Sequence, residues 1–339
     1  MIGASLDISV CIANYNGEDD LPACLDSVFA QQGNFSVEVL LHDDASTDGS
    51  LQAVRTRYPG VKILVSTANV GFCISNNRLA KAARGRYLLL LNNDAALRPD
   101  SLSRLLAFAD SHHTDCILGL PQHTRADAAL VDRGYRTDPF LNPIPILTPG
   151  THEAGVATGA CLWIPRQVWD AIGGFPPWFE SVAEDIFLCL AARLLGHRVL
   201  VLDGPGFDHW IGKKLGGGKV VAQRLLTTTR RRALSERNKT AAMLMCYPLP
   251  ALLALLPLHA VSLAAEALFL LVRRSGRDKV ARIYGPIPGW LWRHRRPIHN
   301  WRQTLMRQRC ASTRTMFAQT VWRPHKLTML LRHGPPELR

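Results

Sequence analysis

The sequence predicts an α/β body with a mostly parallel sheet, followed by a helical and strongly basic C-terminal region. In residues 1–203, short apolar runs alternate with longer amphipathic stretches, a pattern typical of βα units. The net charge of +13 is concentrated in residues 273–339, which hold 16 basic and two acidic residues. A chain of 339 residues is long enough for two domains, and we expect them to cover residues 1–218 and 219–339.

Seven apolar runs of strand length, each bounded by polar or turn-forming residues, define the predicted sheet. They are DISVCIA (7–13), VEVLLHD (37–43), VKILVS (61–66), RYLLLLNND (86–94), TDCILGL (114–120), GVATGACLWIP (155–165) and RVLVLD (198–203). The amphipathic stretches between these runs predict the connecting helices. These helices cover about 20–31, 46–58, 71–84, a stretch from 99 onward, a stretch from 166 to Gly173-Gly174, and 183–196.

Three further stretches lack this alternation. Residues 121–150 are rich in Pro, Asp and Thr, which predicts an irregular excursion over the sheet. Residues 220–239 have helical periodicity with a basic face. Residues 240–265 contain no formally charged side chain, a length sufficient to cross a bilayer.

Several classes of protein are excluded by missing motifs. No GxGxxG follows the first predicted strand and no P-loop is present, which argues against a dinucleotide-binding oxidoreductase and a P-loop NTPase. The eight cysteines are scattered without a CxxC pair, so we expect free thiols in a reducing compartment and no zinc site. The first ten residues have neither a basic nor an apolar signal-peptide region, so no signal peptide is expected.

Polar residues follow the predicted strands at the points where ligands bind in parallel sheets. Asn14-Tyr15-Asn16 ends the first strand, Asp43-Asp44 the second and Asn92-Asn93-Asp94 the fourth, while Glu184-Asp185 opens a helix. The carboxyl ends of parallel strands meet at one edge of a sheet. The sequence therefore predicts an acidic and amide-rich site at this edge.

Four segments, in order, resemble the family-2 inverting glycosyltransferases, and most of all the rhamnosyltransferase-like branch. They are ISVCIANYNGEDDLPACLDSVFAQ, VEVLLHDDASTDGS, NVGFCISNNRLAKAARGRYLLLLNNDAALRPDSL, and ATGACLWIPRQVWDAIGGFPPWFESVAEDIFLCLAARLLGHRV with Asp208-His209. Together they cover roughly residues 6–212. The resemblance implies a GT-A catalytic domain, a Rossmann-like fold, and transfer of a sugar from a nucleotide diphosphate.

The resemblance implies a divalent cation, Mg²⁺ or Mn²⁺, held by Asp94 and His209. Asp94 stands at the metal-binding carboxylate of the family's DxD motif, which here reads Asn92-Asn93-Asp94 and keeps a single acid. A metal would offset the charge that builds on the diphosphate leaving group. The alternatives are a helix-capping or loop carboxylate for Asp94 and a structural histidine for His209.

The catalytic base implied by the resemblance is Asp185, with Glu184 as an acceptor-binding residue or alternative base. Inverting transfer needs one carboxylate to take the acceptor hydroxyl proton while that oxygen attacks the anomeric carbon. Phe187 stands where the family has a further acid, a departure that affects the acceptor side. The alternative for both acids is favourable pairing with the helix dipole in a first turn.

The remaining expected site residues bind the nucleotide sugar. Asp44 matches the family position that hydrogen-bonds the base or ribose, and capping of the following helix is the alternative. For the other positions, capping, tight turns or plain strand geometry are the alternatives. These positions are Asn14, Tyr15, Glu18, Asp43, Asn69, Gly71, Asn92, Asn93 and Gly159.

The C-terminal region predicts association with an anionic membrane surface. Basic residues flank the uncharged run on both sides, at Arg230–Arg232 and Arg273-Arg274, and three prolines interrupt it. A single crossing would export the basic tail against the positive-inside tendency, so an interfacial or re-entrant pair of helices with cytosolic ends fits better. No nucleic-acid-binding motif is present, so the alternative of a nucleic-acid-binding tail is disfavoured.

These features predict an inverting, metal-dependent glycosyltransferase at the cytoplasmic face of a bacterial inner membrane. The expected donor is a nucleotide diphosphate sugar, with dTDP-rhamnose favoured over UDP-hexoses. The expected acceptor is a polyprenyl-linked saccharide of a surface polysaccharide such as O-antigen or capsule. The alternative is a non-catalytic, membrane-bound protein that binds nucleotide sugars, which the single acid of Asn92-Asn93-Asp94 permits.

Overall fold

The computed structural model describes residues 6–112, 115–210, 219–221, 224–272, 276–334 and 337–338, which form two compact units. The first unit comprises the described residues of Met1–Tyr135, Pro145–Ala192 and His197–Trp210. The second comprises the described residues of Arg136–Ile144, Arg193–Gly196 and Ile211–Arg339. Two short segments of the predicted body thus group with the C-terminal helices, and the expected boundary at 218 falls outside the described residues.

The bounds of the elements follow the predicted alternation in the first half of the chain. The strands are β1 (Ile8–Asn14), β2 (Val37–Asp43), β3 (Lys62–Val65), β4 (Tyr87–Asn92), β5 (Ala95–Leu97), β6 (Ile117–Gly119), β7 (Gln122–Thr124), β8 (Leu130–Asp132), β9 (Tyr135–Thr137), β10 (Pro143–Pro145), β11 (His152–Glu153), β12 (Cys161–Pro165), β13 (Val199–Val201), β14 (Phe207–His209), β15 (Lys219–Val221), β16 (Arg224–Thr227) and β17 (Glu337–Leu338). The helices are α1 (Leu21–Phe29), α2 (Ser50–Arg57), α3 (Phe72–Ala82), α4 (Ser101–His112), α5 (Arg166–Ile172), α6 (Glu184–Leu194), α7 (Thr229–Cys246), α8 (Leu249–Leu271), α9 (Gly276–Ile283), α10 (Pro286–Arg293), α11 (Arg295–Arg307), α12 (Thr313–Met316) and α13 (His325–His333).

A large mixed sheet forms the centre of the first unit, in the order β11-β13-β6-β12-β4-β1-β2-β3. The pairs β1–β2, β1–β4, β2–β3 and β6–β13 are parallel, whereas β12 is antiparallel to both of its neighbours and β11 to β13. The strands β1 and β4 are almost wholly buried, which explains their near-continuous apolar sequences. The prediction of a mostly parallel sheet is confirmed.

The register of three central strands positions the polar edge of this sheet. Ala13 of β1 pairs with His42 of β2 on one side and with Asn92 of β4 on the other. Because the three strands are parallel and end at the same level, the residues after them meet at one edge. The expected juxtaposition of Asn14, Asp43 and the Asn92-Asn93-Asp94 turn follows from this register.

A second, four-stranded sheet in the order β5-β14-β7-β8 corrects the prediction for residues 121–150. That stretch was expected to be irregular, but it contains β7 and β8, which form an antiparallel pair. These strands have only three residues each and no apolar alternation, so local sequence does not reveal them. They form because β7 pairs with β14, more than 80 residues further along the chain.

Two other element boundaries differ from the predictions. The strand expected over 155–165 begins at Cys161, because a turn precedes it in which the amide of Cys161 donates to the carbonyl of Thr158. The helix expected over 220–239 begins only at Thr229, after β16, and continues to Cys246. Thr228 caps it by accepting a hydrogen bond from the Arg231 amide at 3.2 Å, which fixes its start.

A buried ion network packs the second unit together. Glu236 on α7 is fully buried and pairs with Arg232 (3.1 Å), Lys239 (3.2 Å) and Lys326 of α13 (2.9 Å). Burial opposes the ionisation of Glu236, but the three cations outweigh it and hold the pKa of the carboxyl well below its usual range. Glu266 of α8 joins the network through Arg232 (2.6 Å) and Lys326 (2.8 Å).

The uncharged run of residues 240–265 divides between two helices with opposite environments. Residues 240–246 complete α7, and these residues and Tyr247 are almost entirely buried. Pro248 caps α8 and Pro250 lies in its first turn, so the two prolines mark the break between the helices. Within the described part of the chain, α8 alone is long and apolar enough to cross a membrane, and only 11% of its most apolar stretch is buried.

Candidate active site

Asn14 is the centre of a buried polar network at the ends of β1, β2 and β4. Its Nδ2 lies 3.1 Å from Asp43 Oδ1 and 3.0 Å from Ser50 Oγ, and its Oδ1 accepts a hydrogen bond from Asn93 Nδ2 at 2.7 Å. The second carboxylate oxygen of Asp43 accepts from the Ser46 amide at 3.1 Å. The structure thus brings together three predicted donor-site residues and gives each a partner that holds its orientation.

The loop after β1 is joined to the loop after β2 by side-chain to backbone hydrogen bonds. Asn16, in the left-handed region at φ 49, accepts from the Thr47 amide at 2.8 Å. Glu18 accepts from the Gly49 amide at 3.0 Å, so its carboxylate has a structural role in addition to any contact with a nucleotide. Tyr15 is 43% exposed at the rim of the site.

Gly17 was not singled out from the sequence, yet the network depends on it. A Cβ at this position would lie 2.3 Å from both Asn14 Oδ1 and Asn93 Nδ2, the two atoms that bond to each other. Both side chains are buried, and Asn14 is held by further bonds to Asp43 and Ser50, so the two cannot move apart without breaking the network.

We therefore expect Gly17→Ala to lower the free energy of unfolding by about 1–3 kcal/mol and to weaken nucleotide binding. Urea denaturation and calorimetry with nucleotide measure the two effects. The matched control is Gly60→Ala, because a Cβ at Gly60 meets no atom within 4 Å. If Gly17→Ala and Gly60→Ala have the same stability and the same affinity for nucleotide, the Asn14–Asn93 bond does not organise the site.

Asp44 holds the loop that contains Asn69 and Gly71. Its two carboxylate oxygens accept from the amides of Val70 (2.7 Å) and Gly71 (2.9 Å). Gly71 has a φ of 88° and caps α3, a conformation that glycine adopts without strain. The role visible for Asp44 is thus to place the loop at the sheet edge, and its contact with a base or ribose remains a prediction.

Asp94 and His209 form a pair although 115 positions separate them. His209 Nε2 lies 3.1 Å from Asp94 Oδ1, and both side chains are largely buried. The antiparallel pairing of β5 with β14 produces this contact, since His209 lies opposite Ala95, the residue after Asp94. Among the described residues, no hydrogen-bond partner is found for the buried His209 Nδ1 or for the buried Asn92 Oδ1.

The donor set of this pair fits a divalent cation that also binds substrate. Mg²⁺ is often held by one or two carboxylates together with substrate phosphates and water. Asp94 supplies a carboxylate and His209 an imidazole, while the described residues contain no group of three or more His, Cys, Asp or Glu that could hold a metal alone. A cation at this site would thus depend on the donor diphosphate for the rest of its ligands.

Asp185 and Gly159, both predicted site residues, are in direct contact. The amide of Gly159 donates to Asp185 Oδ2 at 3.1 Å, and a Cβ at Gly159 would lie 3.3 Å from that of Asp185. The carboxylate of Asp185 is partly exposed, whereas Glu184 beside it is buried. Of the two acids at the start of α6, Asp185 is the more exposed to solvent.

The backbone immediately before Glu184 and Asp185 is strained. Glu180, Val182 and Ala183 have φ values of 64°, 71° and 67°, a region that residues with a Cβ rarely adopt. Such strain costs on the order of 1–3 kcal/mol per residue and is common at functional sites. The turn ends where α6 begins, so it fixes the orientation of Glu184 and Asp185.

Asp132 is a buried acid that the sequence analysis did not select. It ends β8, where its carboxylate accepts from Tyr135 Oη (2.6 Å) and the Gly134 amide (2.9 Å). Burial raises the pKa of Asp132 to about 6, the two hydrogen bonds and His209 oppose this, and the charge of Asp185 adds to it.

The raised pKa of Asp132 predicts a specific pH dependence of stability. Between about pH 4 and 6 the native state retains a proton that the unfolded state has lost, so stability falls as the pH rises through this range. Asparagine does not titrate, so the free energy of unfolding of Asp132→Asn, relative to that of the parent protein, should rise by about 3 kcal/mol between pH 4 and pH 7. Urea denaturation at several pH values measures this, and a constant difference between the two proteins would contradict it.

Parts of this chain are similar in sequence to known glycosyltransferases and polysaccharide-synthesis proteins. Residues 9–173 match the family model described as glycosyl transferase family 2. The chain is 30% identical over 208 residues to the O-antigen biosynthesis protein RfbC of Myxococcus xanthus, a match covering 57% of this chain and 16% of that protein. It is 28% identical over 182 residues to the N-acetylglucosaminyl-diphospho-decaprenol L-rhamnosyltransferase of Mycobacterium tuberculosis, covering 45% and 59% respectively. The chain thus spans less than two thirds of either relative.

Solved structures of low sequence identity share the fold. The crystal structure of S. aureus TarS 1-349 superposes with a TM-score of 0.56 at 19% identity, over 92% of this chain and 90% of that one. The structure of GalNAc-T7 with UDP, GalNAc and Mn²⁺ gives a TM-score of 0.57 at 16% identity, over 71% and 48%. The GT-A fold expected from the sequence is confirmed.

Proposed function

We propose that this chain, a member of glycosyl transferase family 2, transfers a sugar from a nucleotide diphosphate to a lipid-linked saccharide with inversion of the anomeric centre. The observation that carries the proposal is that the turn bearing Asp94, which pairs with His209, is linked to Asp185 through residues 159–160. The Asn92 amide donates to the Ala160 carbonyl at 2.9 Å, and the adjacent Gly159 amide donates to Asp185 Oδ2 at 3.1 Å. A phosphate-binding pair and an accessible carboxylate are the two groups that a single displacement requires.

Asp185 is the proposed base. Its carboxylate would take the proton from the acceptor hydroxyl as that oxygen forms a bond to the anomeric carbon and the bond to the nucleotide diphosphate breaks. The amide of Gly159 and the strained turn before α6 hold the carboxylate in place, which supports this role over that of a mobile surface acid. Glu184, buried beside it, is the proposed acceptor-binding residue.

Asp94 and His209 are the proposed ligands of Mg²⁺ or Mn²⁺. When bound, the cation would neutralise charge on the departing diphosphate. Asn92 and Asn93 place Asp94 at the sheet edge, since Asn93 is bonded to Asn14 and the Asn92 amide to the Ala160 carbonyl at 2.9 Å.

The proposed nucleotide site is the edge formed by the loops after β1, β2 and β3. It takes Asn14, Tyr15 and Glu18 from the first loop and Asp43 and Asp44 from the second. Asn69 and Gly71 come from the third, and Gly159 faces the sugar. The favoured donor is dTDP-rhamnose. The motifs resemble the rhamnosyltransferase-like branch, and the mycobacterial relative is named as an L-rhamnosyltransferase, which supports a rhamnosyl donor.

The proposed acceptor is a polyprenyl-linked saccharide in the synthesis of a surface polysaccharide such as O-antigen. The names of the relatives in Myxococcus xanthus and Mycobacterium tuberculosis support this class of product. The proposed location is the cytoplasmic face of the bacterial inner membrane. The 16 basic and two acidic residues of 273–339 support attraction to an anionic leaflet, at about 1 kcal/mol for each side chain engaged.

A screen of nucleotide sugars tests the proposal. The purified full-length protein is incubated with dTDP-rhamnose or UDP-hexoses, Mn²⁺ and lipid extracted from bacterial membranes, and transfer of radiolabelled sugar is measured. We expect transfer from one donor, with an inverted anomeric configuration by NMR. Donor binding without transfer from any sugar would favour the non-catalytic alternative, and a retained configuration would reject the single displacement.

A further inference from the structure

The exposed side of helix α8 is apolar, and its ionisable residues are turned toward the protein. No exposed position of α8 carries a polar side chain, and Leu253, Val261 and Leu268 are 67%, 66% and 62% exposed. The polar residues of α8 are buried (His259) or half-buried (Ser262 and Glu266). His259 and Glu266 lie on the side that packs against the protein, with Leu252 and Leu255. A surface helix of a soluble protein normally shows the opposite arrangement.

The inward side of α8 is fixed by polar contacts along its length. His259, at its middle, is 2.9 Å from Thr240 Oγ1 on α7. Glu266, in its last two turns, accepts from Arg232, Lys326 and Tyr284 Oη (2.9 Å). These bonds fix the rotation of the helix, so the apolar side stays outward and forms a continuous surface about 35 Å long.

Other residues of the unit that contains α8 also suit a lipid leaflet. The same unit exposes Trp292 (68%) and Trp322 (63%), and indole side chains are enriched at membrane interfaces. It also carries the basic excess of 273–339, which complements anionic headgroups. An apolar surface with no exposed polar side chain, in a unit that also exposes tryptophans and carries the basic excess, fits acyl chains and headgroups together.

The ion network excludes a transmembrane orientation for α8. A helix that crossed the bilayer would carry with it the groups bonded to its inward side. Arg232, Glu236, Lys239 and Lys326 would then lie at hydrocarbon depth, where each charged side chain costs several kcal/mol. In a helix parallel to the surface, the same charges remain on the aqueous side.

We propose that α8 lies in the plane of an anionic bilayer leaflet, with its apolar side among the acyl chains and its polar side bound to the ion network. This inference deepens the proposed function, on which it rests for the membrane location of the acceptor. An in-plane helix would hold the first unit, which is continuous with it in the chain, at the surface where a lipid-linked saccharide presents its sugar.

Flotation with vesicles of phosphatidylcholine and phosphatidylglycerol tests the binding surface. We expect the full-length triple variant Leu253→Gln, Val261→Gln, Leu268→Gln to partition into vesicles roughly 100-fold less than the parent protein. The matched control places the same substitution at three exposed apolar residues of the first unit, Val37, Val65 and Leu147, and should float normally. Equal flotation of both variants would overturn the proposal.

Fluorophores along α8 test its orientation. Single cysteines at Leu253, Val261 and Leu268 are labelled in a Cys310→Ser background, because the other seven cysteines are buried. Quenching by lipids with shallow or deep nitroxides should report the same shallow depth at all three sites. A spanning helix would separate Leu253 and Leu268 by about 22 Å in depth, and labels shielded without vesicles would indicate a second protein copy; either result would overturn the proposal.

The in-plane helix and the enzymatic activity can be tested independently of each other. Because α8 is remote in sequence from the donor-site residues, calorimetry with nucleotide should give the same affinity for the triple variant and the parent protein. Normal flotation without any sugar transfer would refute the enzymatic proposal alone. Transfer activity in a protein whose α8 labels never enter lipid would refute the in-plane helix alone.

Discussion

Replacing Asp185 by Asn is expected to lower the turnover of sugar transfer by 10²- to 10⁴-fold, the usual contribution of a general base. The amide side chain cannot take the acceptor proton, but it is the same size as the carboxylate. It can still accept a hydrogen bond from the Gly159 amide through its oxygen, so the loss to stability should be limited to about 1 kcal/mol. Steady-state kinetics with the donor found in the screen measures the effect.

Two other variants show whether the loss is specific to Asp185. Asp170→Asn, at an exposed acid of α5 in the same unit, should transfer sugar at the parent rate. Glu184→Gln should raise the KM for the acceptor more than it lowers turnover if Glu184 binds the acceptor. Normal turnover of Asp185→Asn together with a large loss in Glu184→Gln would assign the base to Glu184 instead. Donor affinity, measured by calorimetry, should be unchanged in all three.

Asp94→Ala is expected to abolish the dependence of nucleotide binding on Mn²⁺ and to lower kcat/KM by about 100-fold or more. The carboxylate is one of the two proposed protein ligands, and Lewis-acid stabilisation of a leaving diphosphate contributes several kcal/mol. Calorimetry with nucleoside diphosphate, with and without Mn²⁺, measures binding independently of turnover. The parent protein should bind more tightly with the metal, whereas the variant should bind equally weakly in both conditions.

The contribution of His209 can be separated from that of Asp94. His209→Ala removes the second donor and leaves the carboxylate, so a partial loss of the Mn²⁺ effect is expected. Asp170→Ala is the matched control, because Asp170 is exposed on α5. If Asp94→Ala retains the Mn²⁺ effect in full, the Asp94–His209 pair is a structural hydrogen bond and the cation, if any, binds elsewhere.

The central sheet and half of the candidate site could be predicted because their signals are local. The buried strands β1 and β4 read as continuous apolar runs, and their ends are marked by Asn14 and by Asn92-Asn93-Asp94. The carboxyl ends of parallel strands lie at one edge of a sheet, so the meeting of Asn14, Asp43 and Asn93 followed from the pattern. The family resemblance over these segments agreed with that pattern.

The partners of these residues could not be predicted, because they depend on pairing between distant segments. The role of Asp44 as the acceptor for the amides of Val70 and Gly71 is set by backbone geometry, which leaves no side-chain signature. Asp132 lies in a strand of three residues whose pairing has no apolar alternation to mark it. Gly17 is required only because two amide side chains converge above it.

The sequence by itself determined which segments are buried and where the central strands end. It also determined that an uncharged segment, residues 240–265, precedes a basic one, residues 273–339. Burial and periodicity act over a few neighbouring residues, so they are written in the local pattern. Only the tertiary structure decided that Asp94 meets His209, since that contact requires β5 and β14 to pair across more than 100 residues. It also decided which side of α8 faces outward, because Glu266 pairs with Arg232 of α7 and Lys326 of α13, and His259 bonds to Thr240 of α7.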